Sequence, residues 1–344
     1  MPCLPAAPPQ PASPGPPMTT TPLTRRSLIT AATAAVSTSL LPSAVLAQAS
    51  GYPSRSIEVV VPASAGGGTD VLARTFAEAV KKHLPQPLVI SNRPGASGSI
   101  GMGEMINARP DGYKLCMVIV EITILPHLGL TKYTFDDFTP IARLNADPAA
   151  ITVRADAPWN TIEEFLAASQ KAAGNMKMGN SGPGSIWHLA HAALEDKTGV
   201  KFNAIPFQGA APAVVGLLGG HIDAVAVSPG EVSTHVAGGK LKMLAVMADQ
   251  RLKGFPDVPT LKERKIDLSI AAWRGLAAPK STPADVVALL KTATRKAAEE
   301  PGFKEALDKV NLGFAYADGD AFHTAMAKDS EMFKALINKL GLKV

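Results

Sequence analysis

Residues 59–70 read V-V-V-P-A-S-A-G-G-G-T-D, and the folding of this stretch sets the plan for the rest of the chain. Val59, Val60 and Val61 are β-branched and apolar, the composition of a strand covered on both faces. Pro62 removes a backbone donor and ends the ladder. Gly66, Gly67 and Gly68 let the main chain come close to a ligand. Thr69 or Asp70 can then cap a helix whose apolar positions Leu72, Phe76, Val80 and Leu84 recur at helical spacing. A helix start carries unpaired N–H groups and a partial positive charge, so a small anion can be held there without a basic side chain. A bare strand-to-helix connection has the same composition; repetition is what favours a ligand.

The arrangement recurs twice. Residues 176–179 form a short strand, Asn180-Ser181-Gly182-Pro183-Gly184 a turn, and Ser185 the cap of a helix over 186–198. Residues 204–207 lead through Gln208-Gly209-Ala210-Ala211-Pro212 into a helix reaching Leu218, with Pro212 in its first turn. A strand over 222–227 ends at Ser228. Elsewhere, a strand over 88–90 enters the glycine-rich residues 92–101, a strand over 114–124 carries one acid, Glu121, and the tail over 283–344 reads as helical throughout. Strand-like and helical runs alternate along the chain, which predicts an α/β class with mainly parallel sheets. In such sheets ligands bind beyond the carboxyl ends of strands. Three such ends, in separate parts of the chain, point to one cleft shared by two lobes.

The totals narrow the function. The chain has 344 residues and a net charge of +5, which falls to +3 without Arg25 and Arg26. Lys and Arg are scattered rather than striped, so there is no nucleic-acid footprint. Arg25-Arg26, a modestly apolar stretch and the small residues Ala47 and Ala49 have the parts of an export signal of twin-arginine type, cut near Ala47 or Ala49. Residues 1–49 are therefore expected to be a disordered segment plus signal, leaving an exported chain in the periplasm with no membrane anchor. Removing that segment also removes Cys3, so Cys116 remains as a lone thiol in an apolar run, a small core residue rather than a nucleophile.

No cofactor motif is present: the opening loop lacks the phosphate-binding lysine, and its glycines do not have dinucleotide spacing. His188, His191 and Glu195 share a helix face, but their i, i+3, i+7 spacing is not that of helical zinc motifs, so no metal is expected. His188 is placed to face the cleft or brace its loop, with His191 and Glu195 in solvent. Ser181 or Ser185 with His188 makes a poor catalytic pair, because no motif supplies the acid. Trp187 and Trp273 are core residues by default, although both flank cleft segments.

The stretches PASAGGGTDVLAR (62–74), NRPGASGSIG (92–101) and PDGY (110–113) resemble the substrate-binding receptors of tripartite tricarboxylate transporters, the Bug family. GSIWHLA (184–190), PFQGAAPAVVGLLGGHID (206–223), AGGKLKMLAV (237–246), FPDVPT (255–260) and WRGLAAP (273–279) continue the resemblance in order. It implies a periplasmic-binding-protein-like fold of type II, with two α/β lobes on a hinge, read here as residues 50–150 plus 270–344 and residues 151–269. It further implies a non-enzymatic, monomeric receptor that closes on a small organic acid and serves integral membrane transporter subunits. The ligand-holding positions that follow are Ala65, Gly66, Gly67, Gly68, Thr69 and Asp70, with Ser181 and Ser185. Gly209, Ala210, Ser228 and His188 lie on the neighbouring turns. Many relatives have small and hydroxylic residues where this chain has Ile119-Val120-Glu121-Ile122-Thr123. An ionised Glu121 in the cleft would repel a carboxylate and favour an amine, amide or hydroxyl; otherwise it sits in water or pairs with Lys or Arg.

Overall fold

The computed structural model describes residues 51–342. The disordered segment and export signal expected over 1–49, with its cleavage site, lies outside the described residues. From the start of the described chain, β1 (Ile57–Val61) is followed by α1 (Gly68–Val80), β2 (Leu88–Asn92), α2 (Ser99–Gly103) and β3 (Lys114–Ile119). The chain then leaves along β4 (Phe138–Pro148) and enters a second group: β5 (Ala150–Arg154), α3 (Ile162–Lys171), β6 (Lys177–Asn180), α4 (Ile186–Thr198), β7 (Asn203–Pro206), α5 (Ala210–Leu218), β8 (Ala224–Val227), α6 (Pro229–Ala237) and β9 (Leu241–Val246). It returns on β10 (Ala271–Pro279) and closes with α7 (Ala284–Glu299), α8 (Pro301–Lys309), β11 (Phe314–Asp318) and α9 (Gly319–Leu340).

Two sheets result, each the centre of one lobe: β11-β4-β10-β3-β1-β2 and β7-β6-β8-β5-β9. Both are mixed. β1 pairs in parallel with β2 and β3, and β6 with β7 and β8. The strands that carry the chain between lobes run against these: β10 is antiparallel to β3 and β4, and β5 is antiparallel to β8 and β9. The outgoing and returning segments lie side by side at the crossing, where the Ala149 N–H donates to the Ile270 carbonyl at 2.9 Å. That pair is a narrow hinge.

Val59 and Val61 of β1 are buried with Leu72, Phe76 and Val80 of α1 and with Val286 and Leu290 of α7, forming a core on one face of the first sheet, while Val60 points to the other face. On the opposite face, Phe322, Met326 and Phe333 of α9 join a core that continues into the second lobe. No helix among the described residues is long and apolar enough to cross a membrane.

Three segments differ from the sequence expectation. The strand expected over 114–124 ends at Ile119, and Val120–Thr123 is a 3-10 turn. The tail is interrupted by β11, whose residues run Phe-Ala-Tyr-Ala-Asp between Gly313 and Gly319, so helical spacing breaks there. β4 spans 11 residues. Its Pro140, Arg143, Asn145 and Asp147 conceal it, because Asn145 and Asp147 are buried polar groups rather than an outward face.

Gly275 shows how tightly α9 sits on the sheet. A Cβ at this position would stand 2.4 Å from Phe322 Cε1 and 2.6 Å from the Ala142 carbonyl oxygen. Gly275→Ala is expected to destabilise the protein by ~1–3 kcal/mol through overpacking, read as a lower urea midpoint. An unchanged midpoint would refute this packing.

Candidate functional site

A cavity of ≈ 500 Å³ lies between the two sheets. The strand-to-helix turns predicted to share a cleft do meet there. The turn between β1 and α1 contributes Pro62 and Ala63, with Thr69 from the start of α1; that between β6 and α4 contributes Ser181 and Gly182; that between β7 and α5 contributes Gln208 and Gly209, with Ala210 opening α5. A fourth turn, Ala96, Ser97 and Gly98 before α2, completes the rim. Here Gly98 is left-handed at φ 89°, and a Cβ would meet Ile119 Cδ1 at 2.7 Å, so no other residue fits without rearrangement.

The lobes are joined across this rim by hydroxyls. Ser64 Oγ donates to the Gln208 carbonyl at 2.6 Å, and Ser97 Oγ donates to the Pro183 carbonyl at 2.6 Å. Thr69, Trp187 and Ala210 each sit in the first turn of a helix. Their N–H groups therefore have no intrahelical acceptor. All three residues line the cavity.

Two carboxylates cross the cleft in opposite directions. Glu121, in the first lobe and only 5% exposed, accepts from the N–H of Ile186, the first residue of α4, at 3.0 Å. Glu231, in the second lobe, accepts from the N–H of Gly68, the first residue of α1, at 3.4 Å. It also accepts from the Ser228 N–H at 3.0 Å and lies 3.6 Å from Arg274 Nη2. Arg274 is 3% exposed; its Nη1 donates to Asp147 at 2.6 Å and its Nε to Thr69 Oγ1 at 3.0 Å. Burial pushes the Glu231 carboxyl up, against the pull of Arg274 and the Ser228 N–H. Burial likewise pushes Glu121 up to about 7, although the Ile186 N–H and Arg274 favour its charged form.

Of the sequence-predicted positions, Thr69, Glu121, Ser181, Gly209 and Ala210 line the cavity, whereas Ala65, Gly66, Gly67, Gly68, Asp70, Ser185, His188 and Ser228 are not among its lining residues. Asp70 is turned inward. It accepts from the Gly66 N–H, from Arg74 and from Asn92. Burial alone would raise its carboxyl, but those hydrogen bonds hold it below the usual range. It braces the glycine turn, and the helix cap is Gly67 rather than Thr69 or Asp70. Ser185 is the cap of α4, accepting from the His188 N–H at 3.2 Å. The His188 ring accepts from the Gly184 N–H at 3.2 Å, bracing the loop instead of pairing with a serine. His191 is buried rather than solvated, and burial together with His188 pushes it down to about 3, so it is neutral. Ser228 is the buried N-cap of α6. Glu121 is neither in water nor on a basic side chain; the end of α4 holds it.

Sequence reasoning missed Arg274, Glu231 and Ser97. A lone cation inside the apolar run of β10 was a signal comparable to the lone acid at Glu121. Glu231 was concealed as the third residue of a helix, where a capping glutamate is ordinary. Trp187 and Trp273 both line the cavity, and Trp273 Nε1 donates to Asp329 at 2.7 Å.

The model of the tripartite tricarboxylate transporter family receptor matches residues 72–342. The UPF0065 protein in the gbd 5′ region of Cupriavidus necator is 35% identical over 320 residues, covering 92% of this chain and 96% of that protein. A solved TctC solute binding protein from Polaromonas, with no ligand, is 60% identical, covers 84% of this chain and 99% of its own, and gives a TM-score of 0.64. MatC from Rhodopseudomonas palustris, with bound malate, is 27% identical over 83% of this chain and 100% of its own, with a TM-score of 0.77.

The raised Glu121 carboxyl has a measurable consequence. Between the ordinary glutamate value of 4.5 and about 7, the folded protein keeps a proton that the unfolded chain releases, so this group lowers stability as pH rises through that window. Glu121→Gln keeps an acceptor for the Ile186 N–H and removes the titration. The variant is expected to match the parent near about pH 5 and to exceed it by up to ~3 kcal/mol near about pH 8 in urea unfolding. Parallel pH profiles would show that Glu121 does not titrate in this way.

Proposed function

The chain belongs to the tripartite tricarboxylate transporter receptor family, and from that premise we propose that it is a periplasmic receptor which closes two lobes on a small organic carboxylate and delivers it to a tripartite tricarboxylate-type transporter. In this reading the lobes are residues 50–150 with 270–344 and residues 151–269, Arg25-Arg26 directs export, and the partners are integral membrane subunits. The receptor does no chemistry on its ligand.

One observation carries the proposal: first turns of α1, α4 and α5, drawn from both lobes, border a single ≈ 500 Å³ cavity. That volume suits a small metabolite. Micromolar binding needs roughly −8 kcal/mol. A hydrogen bond to a charged group contributes about 1.5–3 kcal/mol net. Three or four such donors, with helix-terminus contributions of about 0.3–1 kcal/mol each, reach the required range after some ordering cost. Because the donors come from both lobes, only the closed arrangement presents them together, which links binding to closure. The higher TM-score against malate-bound MatC than against the far more identical ligand-free Polaromonas protein supports a closed arrangement here. A hydrolase is disfavoured because His188 is committed to the Gly184 N–H.

Thermal unfolding of the mature protein against a panel of dicarboxylates, amino acids and aromatic acids tests the proposal. A subset should stabilise the fold, by about 2.7 kcal/mol at a hundredfold excess over Kd, and be recovered unchanged. Turnover of a compound, or silence across the panel, would contradict it.

A further inference from the structure

The charges around the cavity do not suit a doubly anionic solute. Three charged side chains line it: Glu121, Glu231 and Arg274. Arg274 is already paired at 2.6 Å with Asp147, itself buried, and Glu231 lies at 3.6 Å on its other side. One cation is thus surrounded by two carboxylates, and Glu121 adds a third that no side-chain cation reaches within salt-bridge distance among the described residues.

The positions of these acids sharpen the point. The N-terminal N–H groups of α4 and α1 are natural seats for solute carboxylates. Ile186 and Gly68 hold those seats, and each already donates to a glutamate from the opposite lobe. Glu121 Oε1 is taken by Ile186, whereas Oε2 makes no hydrogen bond to another residue among the described residues. A carboxylate 95% buried at the wall of a solute cavity, held among the described residues by two main-chain N–H groups, its own and that of Ile186, keeps lone pairs for a further donor. Arg274 Nη2, whose one acidic neighbour is at 3.6 Å, and the first-turn amides of Thr69, Trp187 and Ala210 can still take a single carboxylate.

We infer that the solute is an aminocarboxylate, with one carboxylate met by Arg274 and the first-turn amides and an ammonium met by Glu121. This rests on the receptor reading above and specifies the ligand of that same site. Glu121 then acts as a specificity residue: an ammonium beside it favours its charged form, which accepts that ammonium and repels a second carboxylate at the same end, so discrimination comes from attraction and repulsion together.

Calorimetric titration of the mature chain with matched pairs tests the inference. The pairs are succinate against γ-aminobutyrate and α-aminobutyrate, and glutarate against δ-aminovalerate, on the parent and on Glu121→Gln. The parent should bind an amino compound at least about tenfold tighter than its dicarboxylate partner, and E121Q should lose that preference while remaining folded. If the dicarboxylate binds the parent as tightly as its amino partner or more tightly, the inference fails and the receptor reading stands. A preference for the amino compound that persists undiminished in E121Q removes Glu121 from the role. Silence from both series, together with silence across the wider carboxylate panel, overturns the inference and the receptor reading alike.

Discussion

A helix cannot satisfy the N–H groups of its own first turn, and this protein directs three such turns, from two lobes, toward one hollow. Their placement is paid for by the strands behind them: β1, β6 and β7 are short, and each delivers its turn to the cleft side of its sheet. The amides need an acceptor, and the structure supplies one from the far side of the cleft in two cases, Glu121 to α4 and Glu231 to α1. The contacts that finish each helix are therefore also contacts between lobes. Local backbone chemistry and lobe closure become one interaction.

The same logic extends to the hinge. Arg274 lies on the returning strand β10 and Asp147 on the outgoing strand β4, so their ion pair ties the two crossings together. Asp147 also accepts from the Gly313 N–H at 2.6 Å and from Asn145 at 2.6 Å. A buried pair recovers its desolvation cost only when such hydrogen bonds complete it. Through Thr69 and Glu231, Arg274 touches α1 and α6 as well. A shift at the hinge would disturb the cavity wall directly, without any intervening chain of contacts.

How much of this was legible in the sequence follows from the kind of signal each residue left. Val59–Val61 with three glycines, Ser185 before Ile186 and Pro212 behind Gly209 are local patterns, and the turns they mark do converge on one cavity. Pairing across the chain leaves no local trace. β4 was hidden because Asn145 and Asp147 point into the buried Arg274 cluster and break the apolar period. Asp70 carried the strongest motif yet serves the loop's own shape, since an acid behind three glycines can bond either a ligand or the turn itself. Glu121 stood out by composition, but its partner is a main-chain N–H 65 residues away, which no spacing rule can indicate.

The central claim is that neutral first-turn amides from both lobes hold the solute's carboxylate. Amide proton and nitrogen shifts of Thr69, Trp187 and Ala210, followed by NMR while the mature protein is titrated with a ligand found by thermal unfolding, test it directly. The account predicts downfield proton shifts at all three, saturating together with one dissociation constant. Saturable shifts confined to one lobe, or absent from these amides while the ligand binds elsewhere, would contradict it.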